Sequence, residues 1–116
     1  MDRINIEGLI LSNLKIIKHP KGNIYHGIKR DDLGFVDFGE AYFSTILGGH
    51  IKGWNRHKKM TLNLIVPVGD VTFVVYDDRK DSKTNSVINT IQLSSINYSR
   101  LTIPPGLWVA FKGSDS

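Results

Sequence analysis

The chain has 116 residues, 41% hydrophobic and 22% charged, the composition of one globular domain and not of a disordered chain. Fifteen Lys and Arg against eleven Asp and Glu give +4, which suits a phosphorylated ligand but is too modest to demand nucleic acid. No cysteine is available for a disulfide or thiolate metal site, no apolar run approaches the ~20 residues of a membrane span, and Met1-Asp2-Arg3-Ile4-Asn5 lacks a secretion-signal pattern; a cytoplasmic protein is expected.

Short apolar runs bounded by turn residues follow one another along the chain, and none carries helical periodicity. Strands are expected over 9–11 and 14–17, then a turn at His19-Pro20-Lys21-Gly22-Asn23 and a strand over 24–28. After the break at Asp31-Asp32-Leu33-Gly34, residues 35–44 read as a strand with Glu40, Tyr42 and Ser44 on one face and Ala41 and Phe43 on the other. Gly48-Gly49 turns the chain into a strand over 51–55, and His57-Lys58-Lys59 falls in or beside a loop. Residues 62–68 and 71–77 make a hairpin across Gly69-Asp70. A polar loop over 78–85 precedes a strand over 87–93, and Ser94-Ser95-Ile96-Asn97 reads as a short turn of helix. A strand over 100–103 stops at Pro104-Pro105-Gly106, and 107–112 is the last. About eight short strands with Gly and Pro turns describe an all-β sandwich or barrel.

The middle of the chain has the spacing of the first cupin motif, in which Gly precedes His-x-His by five residues and a Glu and a second Gly follow. Here Gly49 precedes Asn55-Arg56-His57 by five residues, Leu62 stands at the Glu position, and Gly69 comes six residues later. The second motif's His, after Pro-x-Gly, corresponds to Val109. Of these ligand positions only His57 remains, and one imidazole cannot hold a catalytic transition metal. The resemblance therefore implies a cupin-like double-stranded β-helix, a jelly roll, without a metal.

Three segments resemble the dTDP-4-dehydrorhamnose 3,5-epimerase family, over about 38–111. Lys52-Gly53-Trp54-Asn55 is similar to its Arg-Gly-Leu-His. The stretch from Asp77 to Thr84 is similar to its Asp-x-Arg-x-x-Ser-Pro-Thr, and Ile103-Pro104-Pro105-Gly106 to its Ile-Pro-x-Gly. The run Lys52-Gly53-Trp54-Asn55-Arg56-His57-Lys58 also resembles the Arg-Gly-x-His-x-His-Lys of the dTDP-sugar 3,4-ketoisomerases, whose second His is the base. Asn55 replaces the epimerase base and Val109 a further family His. The family's acid Tyr and a later Asp lie beyond this chain, so a single cupin-like domain over 1–116 lacking the last strand of the family pattern is expected.

The resemblance implies an enzyme that removes a proton beside the ketone of a nucleotide-linked 4-keto-6-deoxy sugar, with no organic cofactor and no metal. A His titrating near neutrality suits that step. His57 is the candidate base, Tyr42 a proton donor to the enolate, and Glu40 the group that orients His57. Lys52, Asn55, Arg56, Lys59 and Asn63 are the candidate substrate-binding residues, with Lys58 adding to the basic run. Trp54 or Tyr25 is placed to stack on the thymine. The alternative is a sugar-nucleotide or carbohydrate binding cupin that has lost the base. Read without the resemblance, His57 is a polar loop residue, the basic run a solvated face, and Asp77–Arg79 an exposed ion pair of little worth. A homodimer is expected, because pairing would cover exposed strand edges.

Overall fold

The alternating runs form nine strands, and no helix forms among the described residues, 4–114 of the computed structural model. These are β1 (Ile10–Asn13), β2 (Ile16–Ile17), β3 (Ile24–Tyr25), β4 (Ile51–Arg56), β5 (Leu62–Ile65), β6 (Asp70–Tyr76), β7 (Ile88–Ser94), β8 (Ser99–Ile103) and β9 (Trp108–Gly113). They make a three-stranded sheet, β1-β8-β5, a four-stranded sheet, β4-β9-β6-β7, and the small β2–β3 pair. Every strand pairing is antiparallel.

The two larger sheets close on one core. Strand β7 shows why: Asn89, Ile91 and Leu93 are buried while Ile88, Thr90 and Gln92 are exposed, the two-residue period of a half-buried strand. Ile91 and Leu93 meet Phe73 and Val75 of β6, Val109 of β9, and Leu101 and Ile103 of β8. The Phe73 and Phe111 rings lie 5.5 Å apart in that core. Strand β8 is buried on both faces. Leu101 and Ile103 face the core, whereas Arg100 and Thr102 lie under the segment that follows β3. There the Gly27 and Leu33 carbonyls accept from Arg100 at 2.7 and 3.1 Å.

Four expectations change. Residues 62–68 and 71–77 form no hairpin: β5 pairs with β8 in one sheet and β6 with β7 and β9 in the other, so the turn at Gly69 carries the chain from one sheet to the next. Residues 35–44 form no strand: they run as an unpaired segment, and Val36, Phe38, Tyr42 and Phe43 are exposed, Phe43 by 99%. The side-chain alternation is present, but among the described residues no strand pairs with it to complete a ladder. The expected helical turn at 94–97 is instead a tight turn between β7 and β8, in which the Ser94 hydroxyl accepts from the Ile96 and Asn97 amides. A Ser side chain offers the backbone this alternative to a helix. Finally, the strand over 24–28 ends at Tyr25, because the carbonyls of His26 and Gly27 are taken by the Tyr98 hydroxyl and the Arg100 guanidinium.

Candidate active site

Strand β4 sets the site's geometry through an irregularity. Lys52 lies opposite Phe111 of β9 and Asn55 opposite Val109, so three steps on β4 match two on β9. Strict alternation would put Lys52 and Asn55 on opposite faces; the bulge puts both on the face that β9 turns to the core. Gly53 makes it possible. Its φ is +129°, and a Cβ there would sit 2.7 Å from the Ala110 Cα. His57 lies half-buried just beyond the end of β4. Arg56 is turned the other way from Asn55.

His57 is anchored through its backbone. The Gly106 amide donates to the His57 carbonyl at 2.8 Å, so the Pro104-Pro105-Gly106 turn holds the exit of β4. Gly106 has φ +93° and lies against the stem of Arg79. Arg79 is fixed in turn by Asp77, whose side chain is fully buried. The Asp77 carboxylate accepts from Arg79 Nε at 2.9 Å, Arg79 Nη2 at 3.0 Å, the Arg79 amide at 3.0 Å, Ser82 Oγ at 2.6 Å and Thr84 Oγ1 at 2.7 Å. Burial alone would raise the Asp77 pKa. The bonds from Arg79, Ser82 and Thr84 together outweigh it and hold the carboxyl well below the usual carboxylate range. The same bond to Asp77 raises the Arg79 pKa against the opposing effect of its burial. Asp77–Arg79 is thus a multiply bonded pair with a buried carboxylate and a half-buried guanidinium, not the exposed pair expected. Arg79 Nη2 also reaches the Glu7 carbonyl at 2.6 Å, tying the start of the described chain to this loop.

The remaining sequence candidates are dispersed. Lys52 Nζ donates to the Thr45 carbonyl at 2.7 Å and lies 3.4 Å from Ser44 Oγ, the residue expected to share a face with Glu40 and Tyr42. Glu40 and Tyr42 themselves stand exposed on the unpaired segment, with no hydrogen bond to His57 among the described residues. Arg56 lies on the outer face of its sheet, its guanidinium 4.9 Å above the Trp108 ring and 3.9 Å from Asp78. The Trp108 indole donates to that same Asp78 at 2.9 Å. Asn63, on the outer face of β5, donates to the Gly34 carbonyl at 3.1 Å and accepts from Thr102 at 2.6 Å. Lys58 and Lys59 are exposed in the loop after β4, and Trp54 is half-exposed. The Tyr25 ring is packed edge-on against Tyr98 at 5.3 Å. The structure therefore sets Lys52 and Asn55 on one face of β4 and puts Arg56 and Asn63 on outer faces.

Asp77, Arg79, Ser82 and Thr84 stood out in the sequence only as a string resembling the epimerase family, with Asp77–Arg79 expected as an exposed pair. The Arg56–Trp108–Asp78 cluster had no local signal, since its members lie on three different parts of the chain. No three histidine, aspartate or glutamate side chains gather as a metal-ligating group among the described residues.

No family model matches the sequence. The chain superposes with a TM-score of 0.90 and 38% identity on a dTDP-sugar isomerase from Desulfovibrio desulfuricans G20, over 93% of this chain and 69% of that one. It belongs to the dTDP-sugar epimerase and isomerase family. Its architecture is the cupin-like all-β fold of that family. It is also 27% identical over 110 residues to the probable low-salt glycan biosynthesis epimerase Agl13 of Haloferax volcanii, covering 93% of this chain and 70% of that one. The spore coat polysaccharide biosynthesis protein SpsL of Bacillus subtilis is 32% identical over 95 residues, 80% of this chain and 63% of that one. As a member of the epimerase and isomerase family the chain thus spans about two thirds of these relatives' length.

Proposed function

We propose that the protein is a cytoplasmic epimerase or isomerase of a dTDP-linked 4-keto-6-deoxy sugar, formed by one cupin-like domain and using neither a metal nor an organic cofactor. The observation that carries this is the β4 bulge, which sets Lys52 and Asn55 on one face, with half-buried His57 two residues on and its carbonyl held by Gly106. Likeness to an isomerase at 38% identity supports the same class.

In this reading the neutral His57 imidazole takes the proton from the carbon beside the ketone. The electron pair left behind becomes the enolate, and Lys52, on the same face, offsets its charge. Return of a proton to the other face of that carbon inverts it. Protonation of the former carbonyl carbon and its oxygen, with loss of the hydroxyl proton from the carbon first deprotonated, moves the ketone there. Neither outcome needs an oxidant, and atoms balance in both. Asn55 supplies an amide beside the base, and Lys59 meets the diphosphate. Glu40 and Tyr42 join the site only if the segment carrying them docks. A homodimer would supply a surface for it: Phe38 and Phe43 are exposed there, and every residue of the edge strand β4 is exposed.

A second reading, a sugar-nucleotide binding protein without turnover, draws on Val109 and Asn55 standing where relatives are expected to have histidines. Proton NMR of dTDP-4-keto-6-deoxyglucose in deuterated water separates the two. Loss of the C3 or C5 proton signal supports enolisation, and the carbon affected divides epimerase from ketoisomerase. Broadened ligand signals with no exchange over hours would leave the binding protein standing.

A further inference from the structure

A cleft of about 430 Å³ lies away from the His57 side, between the end of β1, the segment after β3, and Arg100 of β8. It is lined by Lys15, Lys29 and Arg100, with His26 and Ser12, and Asp32 is the one carboxylate on its wall. Three cations against one anion leave two positive charges. Arg100 is 2% exposed. Its Nη1 donates to Gly27 O at 2.7 Å and stands 3.5 Å from Asp32 Oδ2, and its Nη2 donates to Leu33 O at 3.1 Å. Its Nε–H is buried without a partner. Asp32 is itself engaged by the Lys29 amide at 2.7 Å, which weakens its ability to neutralise the guanidinium. A buried arginine that is incompletely paired, and whose remaining donor has no acceptor, is the state an oxyanion relieves.

We infer that this cleft binds a phosphate group, as a dianion, between Lys15, Lys29 and the edge of Arg100. The inference does not depend on the reaction proposed for His57. Two lysines on exposed segments supply charge at the mouth, and the guanidinium supplies directional N–H donors behind them. The chemistry is shared by inorganic phosphate and by the terminal phosphate of a monoester, and the experiment separates them.

The Arg100 Nε–H signal in ¹⁵N-correlated NMR reports the unpartnered donor directly. Titration with inorganic phosphate, and separately with ribose 5-phosphate, is run against sodium chloride at matched ionic strength. A saturable shift of the Nε–H and of the Gly27 and Lys29 amides, half-complete at millimolar ligand, is expected. The tighter of the two ligands identifies the source. Lys15→Ala with Lys29→Ala, both at exposed positions, weakens binding at least tenfold, whereas Lys83→Ala, on the polar loop after β6, leaves it unchanged. A shift that is linear in phosphate, equal to that with chloride, or indifferent to the two lysine substitutions overturns the inference. Retention of phosphate binding by His57→Ala keeps this result independent of the catalytic reading.

Discussion

Asn55 lies directly across from Val109 in the β4–β9 pairing, and Val109 directly across from Val75 of β6. The two positions at which resembled epimerases carry histidines are therefore cross-strand neighbours on the core face. In this chain one is an amide and the other an aliphatic side chain, and His57 follows one residue beyond the strand. His57→Ala is expected to slow deuterium uptake by ~10²–10⁴-fold, the usual contribution of a general base, while dTDP affinity stays within about twofold. Asn55→His is not expected to rescue the His57→Ala variant. Rescue, measured by the same proton NMR, would assign the base to position 55.

The Asp77 network makes an acid-dependent contribution to stability. A carboxyl whose folded pKa is depressed contributes stability that is fully present above its unfolded pKa, near 3.9, and is lost as pH falls toward the folded value. Asp77→Asn leaves Arg79 without its charged partner and is expected to cost about 3 kcal/mol at pH 7. Urea unfolding at a series of pH values checks this. The gap between the two proteins is constant from pH 7 to about 5 and narrows below about 4. A gap independent of pH down to about 2 would contradict the depressed pKa.

Gly53 is expected to tolerate no side chain. Gly53→Ala puts a Cβ 2.7 Å from the Ala110 Cα at φ +129°, so the bulge must shift. Roughly 2 kcal/mol of destabilisation is expected. The functional loss should exceed the structural one, because the bulge is what brings Lys52 onto the face of Asn55. A variant with lowered melting temperature but unchanged exchange rate would show that the bulge does not shape the site.

Exposure of the 35–47 segment bears on assembly. Phe43 is 99% exposed and Leu47 70% exposed, more apolar surface than a free segment usually leaves in water. Phe43→Asp is expected to shift the protein from dimer to monomer in sedimentation at micromolar concentration, with little change in far-UV circular dichroism. A wild-type protein that sediments as a monomer would remove the dimer from the proposal.

Much of the fold was legible locally. Alternation marked β6, β7 and β9 to within a residue or two, and Pro104-Pro105-Gly106 stood where β8 ends, but the Gly69-Asp70 turn joins two sheets and not the two strands of a hairpin. Site residues were legible only in part. His57 and Lys52 were named by motif, yet strict alternation set Lys52 and Asn55 on opposite faces until the bulge at Gly53 reversed it. Arg56 fell in the same basic run and was drawn to the other face by Trp108 and Asp78. Asn63 showed no sign of the Gly34 carbonyl and Thr102 hydroxyl that hold it.

By itself, the sequence determined whatever depends on neighbours a few residues apart: strand periodicity, turn chemistry, and the string from Asp77 to Thr84 whose side chains converge on one carboxylate. Tertiary structure decided what depends on partners far along the chain. Asp77 is buried because the Glu7 region and the 79–84 loop close over it, and Arg100 is buried because residues 27–33 cross its strand. Residues 35–44 carry a strand's alternation and remain unpaired, because a ladder needs a second strand and none of the described residues forms one beside them. Burial and pairing are properties of two segments at once, and one-dimensional spacing encodes only one of them.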